Sequence, residues 1–411
     1  MKPLALPRLA VMMFLQYFVH GAWYVTCGLA MAHYGFSSII GLTYSLVAIA
    51  SIIAPLLLGI IADRFFSSEK VLGFLHAVGG ILLLVIPRQL SAGHQGPFLL
   101  LLFLFLLCLM PTFALTNNVA FHHVQNSEKQ FPIIRVFGTV GWIVAGLFIG
   151  QLGLSDNYMI FYIAGTAALV LSIYSFTLPA TPAPAKGKAF SVRELLRLDS
   201  FKLFKNWNFA VFMLTSLFFY IPISSYYSFA ATFLGAAGFK NVGSVMTIGQ
   251  ILEVLFMLSI SFFLVRLGVK AMLLIGMVAW ITRFFIFAWA GPAGLMWFLI
   301  FGIAIHGICA DFFMITGTIY AEKSAGPEIK AQTQSLFTLF TNGFGSFLGS
   351  LIAGVLFNST VTAKGPNMMH QWQLFWLIPA FIGILLAAAF LLTFKNERSR
   401  NSLPLKTAVN K

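Results

Sequence analysis

Four ionisable residues stand inside, or near the ends of, long apolar runs of the chain: Arg135, Glu253, Arg283 and Asp311. A charge in surroundings that apolar must be met by a counter-charge, a proton or water. Glu253 closes the motif Gly249-Gln250-Ile-Leu-Glu253, and positions three apart share one side of a helix. Such an amide and acid could accept a proton, a ligand hydroxyl, or both; a carboxylate satisfied inside a helix bundle is the alternative reading. Asp311 follows His306-Gly-Ile-Cys-Ala. The two are five residues apart, about 140° around a helix, so they do not share a narrow face. His306 could hydrogen-bond a ligand or a neighbouring helix, while Asp311 could pair with a helix bearing Arg135 or Arg283 and serve coupling or gating.

Several polar stripes recur at spacings of four and seven. Arg135, Thr139 and Trp142 put a cation, a hydroxyl and a flat π-face on one side of a helix. Gln16, His20 and Trp23 repeat the pattern, as do Tyr220, Ser224 and Tyr227 with Ser225 and Tyr226 alongside. Thr116-Asn117-Asn118 and the pair Thr338 and Asn342 add hydroxyls and amides. Small residues spaced by four, Gly146 with Gly150 and Gly345 with Gly349, would let helices approach closely.

The elements that carry these residues follow from composition. Of 411 residues, 59% are hydrophobic and 9% charged, against about 25% charged in soluble domains. Soluble multidomain architectures are excluded. Cys27, Cys108 and Cys309 are too few and scattered for a disulfide scaffold. Crossing a membrane takes about 20 apolar residues, and twelve such runs are present: 9–32, 36–62, 71–90, 97–121, 132–152, 157–178, 207–232, 243–265, 270–290, 294–319, 331–357 and 371–394. An even count puts both termini on one side. Twenty of the 25 basic residues fall in segments on that side, three on the other, and two inside spans. The positive-inside rule therefore places both termini in the cytoplasm. The net charge of +14 reads as topology facing anionic lipid rather than as a nucleic-acid interface. The N-terminal run exceeds a signal-peptide core in length, and its removal would invert the charge bias.

The chain divides at its longest polar stretch. Residues 1–178 form a six-span half, 179–206 a basic, Pro-containing cytoplasmic linker, 207–394 a second six-span half, and 395–411 a cytoplasmic tail. A 6 + 6 layout is that of transporters built from parallel repeats, with the substrate site between the halves. After span two, Gly59-Ile-Ile-Ala62-Asp63-Arg64 resembles the Gly-x-x-x-Asp-Arg loop of the major facilitator superfamily, and Arg266-Leu-Gly268-Val-Lys270 is a degenerate echo. The expected fold is thus an all-α polytopic membrane protein of the major facilitator type, with twelve transmembrane helices in two six-helix halves. No Walker loop, zinc-spaced Cys/His cluster or nucleophile elbow is found, so neither ATP drive nor an enzyme is expected. The amides, hydroxyls, aromatics and two carboxylates suit a neutral, polyhydroxylated ligand with a flat ring.

A closer resemblance covers nearly the whole chain. It is densest in Leu15-Gln16 through Trp23, Pro132-Ile-Ile-Arg135-Val-Phe-Gly138-Thr139-Val-Gly141, Leu203-Phe204-Lys205-Asn206, Gln250-Ile-Leu-Glu253, Trp280-Ile-x-Arg283-Phe284, Asp311-Phe312-Phe313 and Thr341-Asn342-Gly343-Phe344-Gly345. These stretches resemble the nucleoside:proton symporters of the major facilitator superfamily. The resemblance implies nucleoside import into the cell across the inner membrane, driven by the proton gradient with no cofactor, in a monomer. It implies substrate contacts at Arg135, Thr139, Gln250 and Glu253, and proton coupling at Asp311. Trp142, Ser224, Tyr227 and His306 stand at substrate-region positions where a typical member carries other residues, and they join the candidate set. Glu253 is a second candidate for coupling. A sugar or polyol symporter of the same fold, and a non-transporting receptor, remain alternatives at this level.

Overall fold

The computed structural model describes residues 5–57, 66–183, 198–363, 365 and 367–395. The Gly59–Arg64 loop, linker residues Lys186, Lys188, Arg193 and Arg197, and the tail beyond residue 395 lie outside these described residues.

In hydrocarbon every backbone N–H and C=O must find a partner within the segment, so long apolar runs become helices. Among the described residues, ten helices are long and apolar enough to cross a membrane, and Met159–Ser175 is a shorter apolar one of 17 residues. One of the ten, Val242–Ala290, runs for 49 residues, about twice the ~20 needed for one crossing. Gly268 breaks it, with φ 75° and ψ 170°. That left-handed backbone is open to glycine at no steric cost. The two arms are spans eight and nine, and the twelve expected segments are all present as helix.

Local chemistry sets the ends. Span five starts at Ser127, earlier than its apolar run, because the Asn126 side chain accepts from the Lys129 N–H at 3.0 Å. Asn206 caps span seven in the same way, accepting from the Phe209 N–H at 3.1 Å. Spans ten and eleven are not uniform α-helix. Each contains a π-helical stretch, Asp311–Ile315 and Leu339–Gly345, a local widening that gathers at functional sites.

Packing follows a repeat. Spans one and five pack together as seven and eleven do, and three and six as nine and twelve do. Span two meets eleven, and span five meets eight, across the two halves. Glycines make these approaches possible. Gly141 lies against the Phe14 carbonyl, and a Cβ on Gly345 would stand 2.8 Å from the Leu217 carbonyl. Across the seam, Gly150 faces Ser244 and Gly41 faces Gly354. The pairs Gly146 with Gly150 and Gly345 with Gly349, though spaced alike, do not occupy equivalent places and are five residues out of register. Gly349 packs on Ser224 within its own half, whereas Gly150 bridges the halves as Gly354 does. The pairs Gly141/Gly345 and Gly150/Gly354 share a separation of 204 residues.

Hydrogen bonds between the halves lie at the same end as these seam glycines. The Gly243 N–H donates to Ser155 Oγ at 3.1 Å, and Asn358 Nδ2 donates to the Ser38 carbonyl at 2.8 Å. The start of the linker is tied to the first half by the Thr181 N–H donating to Glu69 at 2.8 Å. Its end meets the second half where Thr333 Oγ1 donates to Ser200 Oγ at 3.2 Å.

Candidate functional site

A cavity of about 250 Å³ opens between spans one, five, seven, eight and ten. It falls just below the ~300–1,000 Å³ of drug-sized sites and so suits a small solute. The stripe Arg135, Thr139 and Trp142 lines it, one helix face delivering all three groups. The Arg135 guanidinium sits over the Tyr17 ring, 4.3 Å from its centroid. Gly138 makes room for that contact, since a Cβ there would stand 2.7 Å from the ring.

Gln250 and Glu253 line the cavity from span eight, whose outward residues Leu258 and Val265 are 80% and 87% exposed, as a lipid-facing surface requires. Two glycines bring span ten against this pair. A Cβ on Gly249 would stand 3.0 Å from the His306 Cβ, and one on Gly307 would stand 2.9 Å from the Leu252 carbonyl. The close backbones set His306 Nε2 3.6 Å from Glu253 Oε2. His306 is buried, while the Glu253 side chain keeps a third of its surface open to the cavity.

The remaining candidates separate. Tyr227 lines this cavity and a neighbouring one of about 220 Å³. Ser224 faces only the neighbour, and its hydroxyl donates to the Tyr220 carbonyl at 2.7 Å. Asp311 lines neither cavity. It is fully buried, and among the described residues neither carboxylate oxygen finds a hydrogen-bond partner. The expected contact with Arg135 or Arg283 is not made. Arg135 is engaged by Tyr17, and Arg283 donates to the Gly302 carbonyl at 2.7 Å and meets His306 at 3.1 Å. The physical reason lies in the helix itself: the face of span ten that turns His306 towards Arg283 turns Asp311 away.

Most residues of the other stripes serve the scaffold. Gln16 donates to Thr112 at 2.7 Å and meets His76 at 2.9 Å, while Trp23 is buried against Phe105. Asn118 donates to Ser68 at 2.8 Å. His20 and Asn342 face the neighbouring cavity. Sequence reasoning passed over Tyr17, Tyr24, Val25, Met246, Val254 and Met257, which with Tyr226 complete the lining. Tyr17 and Tyr24 are seven apart on one side of span one, a signal hidden among 16% aromatic residues.

The site thus holds a cation, a carboxylate, an amide, a hydroxyl and an indole face around a small volume. Aromatic faces stack flat rings, and the polar groups can fix orientation by hydrogen bonds. No cluster of His, Cys, Asp and Glu fit for a metal occurs among the described residues.

Comparison with known proteins places this geometry. The family model described as "Nucleoside H+ symporter" matches residues 4–399. The putative nucleoside transporter YegT of Escherichia coli is 38% identical, with 95% of this chain and 94% of YegT covered. The nucleoside permease NupG of the same organism is 34% identical over 96% of both chains, and its xanthosine permease 34% identical over 94% and 95%. A crystal structure of a NupG point mutant superposes with a TM-score of 0.88 at 32% identity, covering 95% of this chain and all of that one. POT peptide transporters at 14–16% identity share the architecture, with TM-scores of 0.66–0.68. The twelve-span arrangement is the major facilitator fold, in a multi-pass membrane transporter. By the extent of these matches, the chain belongs to the nucleoside H+ symporter family.

Proposed function

We propose that the protein imports nucleosides by proton-coupled alternating access, with the cavity between spans one, five, seven, eight and ten as the substrate site. The observation that carries this reading is the convergence of Gln250, Glu253, Arg135, Thr139 and Trp142 on one small cavity in a chain of this family. Trp142 stacks the base, and Gln250, Glu253, Thr139, Tyr227 and His306 take its polar edge or the ribose hydroxyls. Arg135 balances the Glu253 charge. Ser224 acts from the adjoining cavity. Glu253 carries the transported proton with Asp311, whose oxygens have no hydrogen-bond partner among the described residues and so favour a bound proton or a transient contact during the cycle.

The fold supports rocking of the two halves 1–178 and 207–394 about the seam, with 179–206 as a cytoplasmic tether and 395–411 as a cytoplasmic tail. The inter-half glycine and hydrogen-bond contacts lie towards the face that the charge bias assigns to the exterior. This arrangement is then the externally closed member of the cycle. The protein works as a monomer in the inner membrane, needs no cofactor, and draws on the proton gradient. Family and relatives favour nucleosides over sugars or polyols, and transport over a receptor role.

Uptake of labelled uridine or adenosine into proteoliposomes under an imposed pH gradient tests the reading. Accumulation that collapses with the gradient and is lost in Glu253→Gln is the expected result. No uptake, with wild type and Glu253→Gln indistinguishable, rejects it.

A further inference from the structure

We propose that Arg283, which does not line the substrate cavity, is a positioning residue that fixes His306 in the tautomer carrying its proton on Nε2, facing Glu253. Arg283 is fully buried on span nine, and a guanidinium can donate hydrogen bonds but never accept one. Its Nε donates to the Gly302 carbonyl at 2.7 Å, and its Nη1 lies 3.1 Å from His306 Nδ1. Its Cζ stands over the rings of Tyr226 and Trp280 at 4.3 and 4.6 Å. Trp280 is itself held by donating to the Cys309 carbonyl at 2.9 Å. The guanidinium is therefore clamped on several sides, with one orientation towards His306.

Since Arg283 can only donate, His306 Nδ1 must offer its lone pair. The other ring nitrogen then carries the hydrogen, because the bond made by one nitrogen decides the state of its partner. The ring cannot readily turn away: it stacks on Tyr226 with centroids 5.4 Å apart and an interplanar angle of 24°. Its Nε2–H points at Glu253 Oε2, 3.6 Å distant, longer than a direct hydrogen bond. The cavity thus presents a fixed donor beside a carboxylate acceptor. That pair is complementary to a ligand offering a donor and an acceptor side by side, such as a vicinal diol or the edge of a nucleobase. Without Arg283 either ring nitrogen could hold the proton, and part of the histidine population would present a lone pair to the carboxylate.

Two measurements test this, one of which stands apart from the nucleoside reading. In protein labelled with ¹⁵N-histidine, the resonances lost in His306→Gln identify His306. The wild type should show a bare Nδ1 and a protonated Nε2 at neutral pH. A proton on Nδ1 overturns the proposal, even if Arg283→Met fails to fold. The second measurement rests on the proposed uridine transport. Loss of a charge-assisted contact of ~1.5–3 kcal/mol predicts that Arg283→Met lowers uridine uptake by about 10-fold or more. His306→Gln also lowers uptake, but its amide has no tautomer to set, so adding Arg283→Met to it should lower uptake no further. An equal additional loss in the double variant shows that Arg283 does not act through His306 and overturns the proposal.

Discussion

The two cavities at the centre of the molecule occupy matching places in the repeat, yet they differ in kind. Tyr24 and Tyr227 line both and are 203 residues apart, the same separation as Phe14 and Leu217, which contact the matching glycines Gly141 and Gly345. Span two relates to span eight by 202 residues, so Ala48 and Ser51 of the second cavity correspond to Gln250 and Glu253 of the first. Ser346 corresponds to Trp142, with the same 204-residue separation as the glycine pairs. One backbone arrangement therefore carries an amide, an acid and an indole on one side, and a methyl and two hydroxyls on the other. At these matched positions the difference lies in the side chains. An ionisable group in a membrane helix costs about 2.5–3.5 kcal/mol, and the chain retains it in the cavity where His306, with Arg283 behind it, can meet it. The twofold repeat shapes the volume, while its breaking assigns the chemistry.

The sharpest way to break this comparison is to remove charge from the first cavity. Losing hydrogen bonds to a charged group, ~1.5–3 kcal/mol, predicts that Glu253→Gln reduces gradient-driven uridine uptake by about 10- to 100-fold. Initial rates in proteoliposomes check this, and an unchanged rate would make the acid dispensable. Trp142→Ala comes next. An aromatic stacking contact of ~0.5–1.5 kcal/mol predicts a KM about 3- to 10-fold higher with a smaller change in maximal rate.

A third prediction concerns stability. Asp311 is buried without hydrogen-bond partners for either oxygen among the described residues, and replacing an unsatisfied buried polar group by an apolar one is neutral or stabilising. Asp311→Leu should raise the melting temperature by about 1 °C, the shift expected for ~1 kcal/mol when the unfolding entropy is summed over a chain of 411 residues, while abolishing proton-driven accumulation. A lower melting temperature would mean that the carboxylate is satisfied in the resting protein. The smallest effect belongs to the second cavity. Ser51 donates to the Ala48 carbonyl at 2.7 Å, a bond within one turn of its own helix. Its loss, ~0.5–1 kcal/mol, predicts a change in uptake of no more than about 2- to 5-fold in Ser51→Ala. If that substitution matched Glu253→Gln, the cavities would be functional equals and the comparison would fail.

Much of the fold was legible because hydrocarbon leaves the backbone few options. The run 243–290 read correctly as two spans since Arg266, Gly268 and Lys270 interrupt it, and Gly268 is where the backbone turns. The site was legible in part. Arg135, Thr139 and Trp142 reach the cavity as their spacing suggested, and so do Gln250 and Glu253. The similar stripe Gln16, His20 and Trp23 does not, because Gln16 meets Thr112 and His76 and Trp23 meets Phe105 in their own half, while His20 faces the neighbouring cavity. Spacing was equally good in both cases. What differed was the neighbour.

The amino-acid sequence by itself determined the membrane class, the number of spans, the two halves and the small set of polar residues inside them. These depend on hydropathy, charge placement and helical period, all of which are properties of a segment alone. The tertiary structure decided which stripe faces the cavity, that Arg283 reaches His306 rather than Asp311, and that Gly150 answers to Gly354. Those outcomes depend on how far each helix is rotated and shifted against the next. That rotation is fixed by close packing between distant segments, where a missing Cβ at Gly249 or Gly307 settles which side chains can meet.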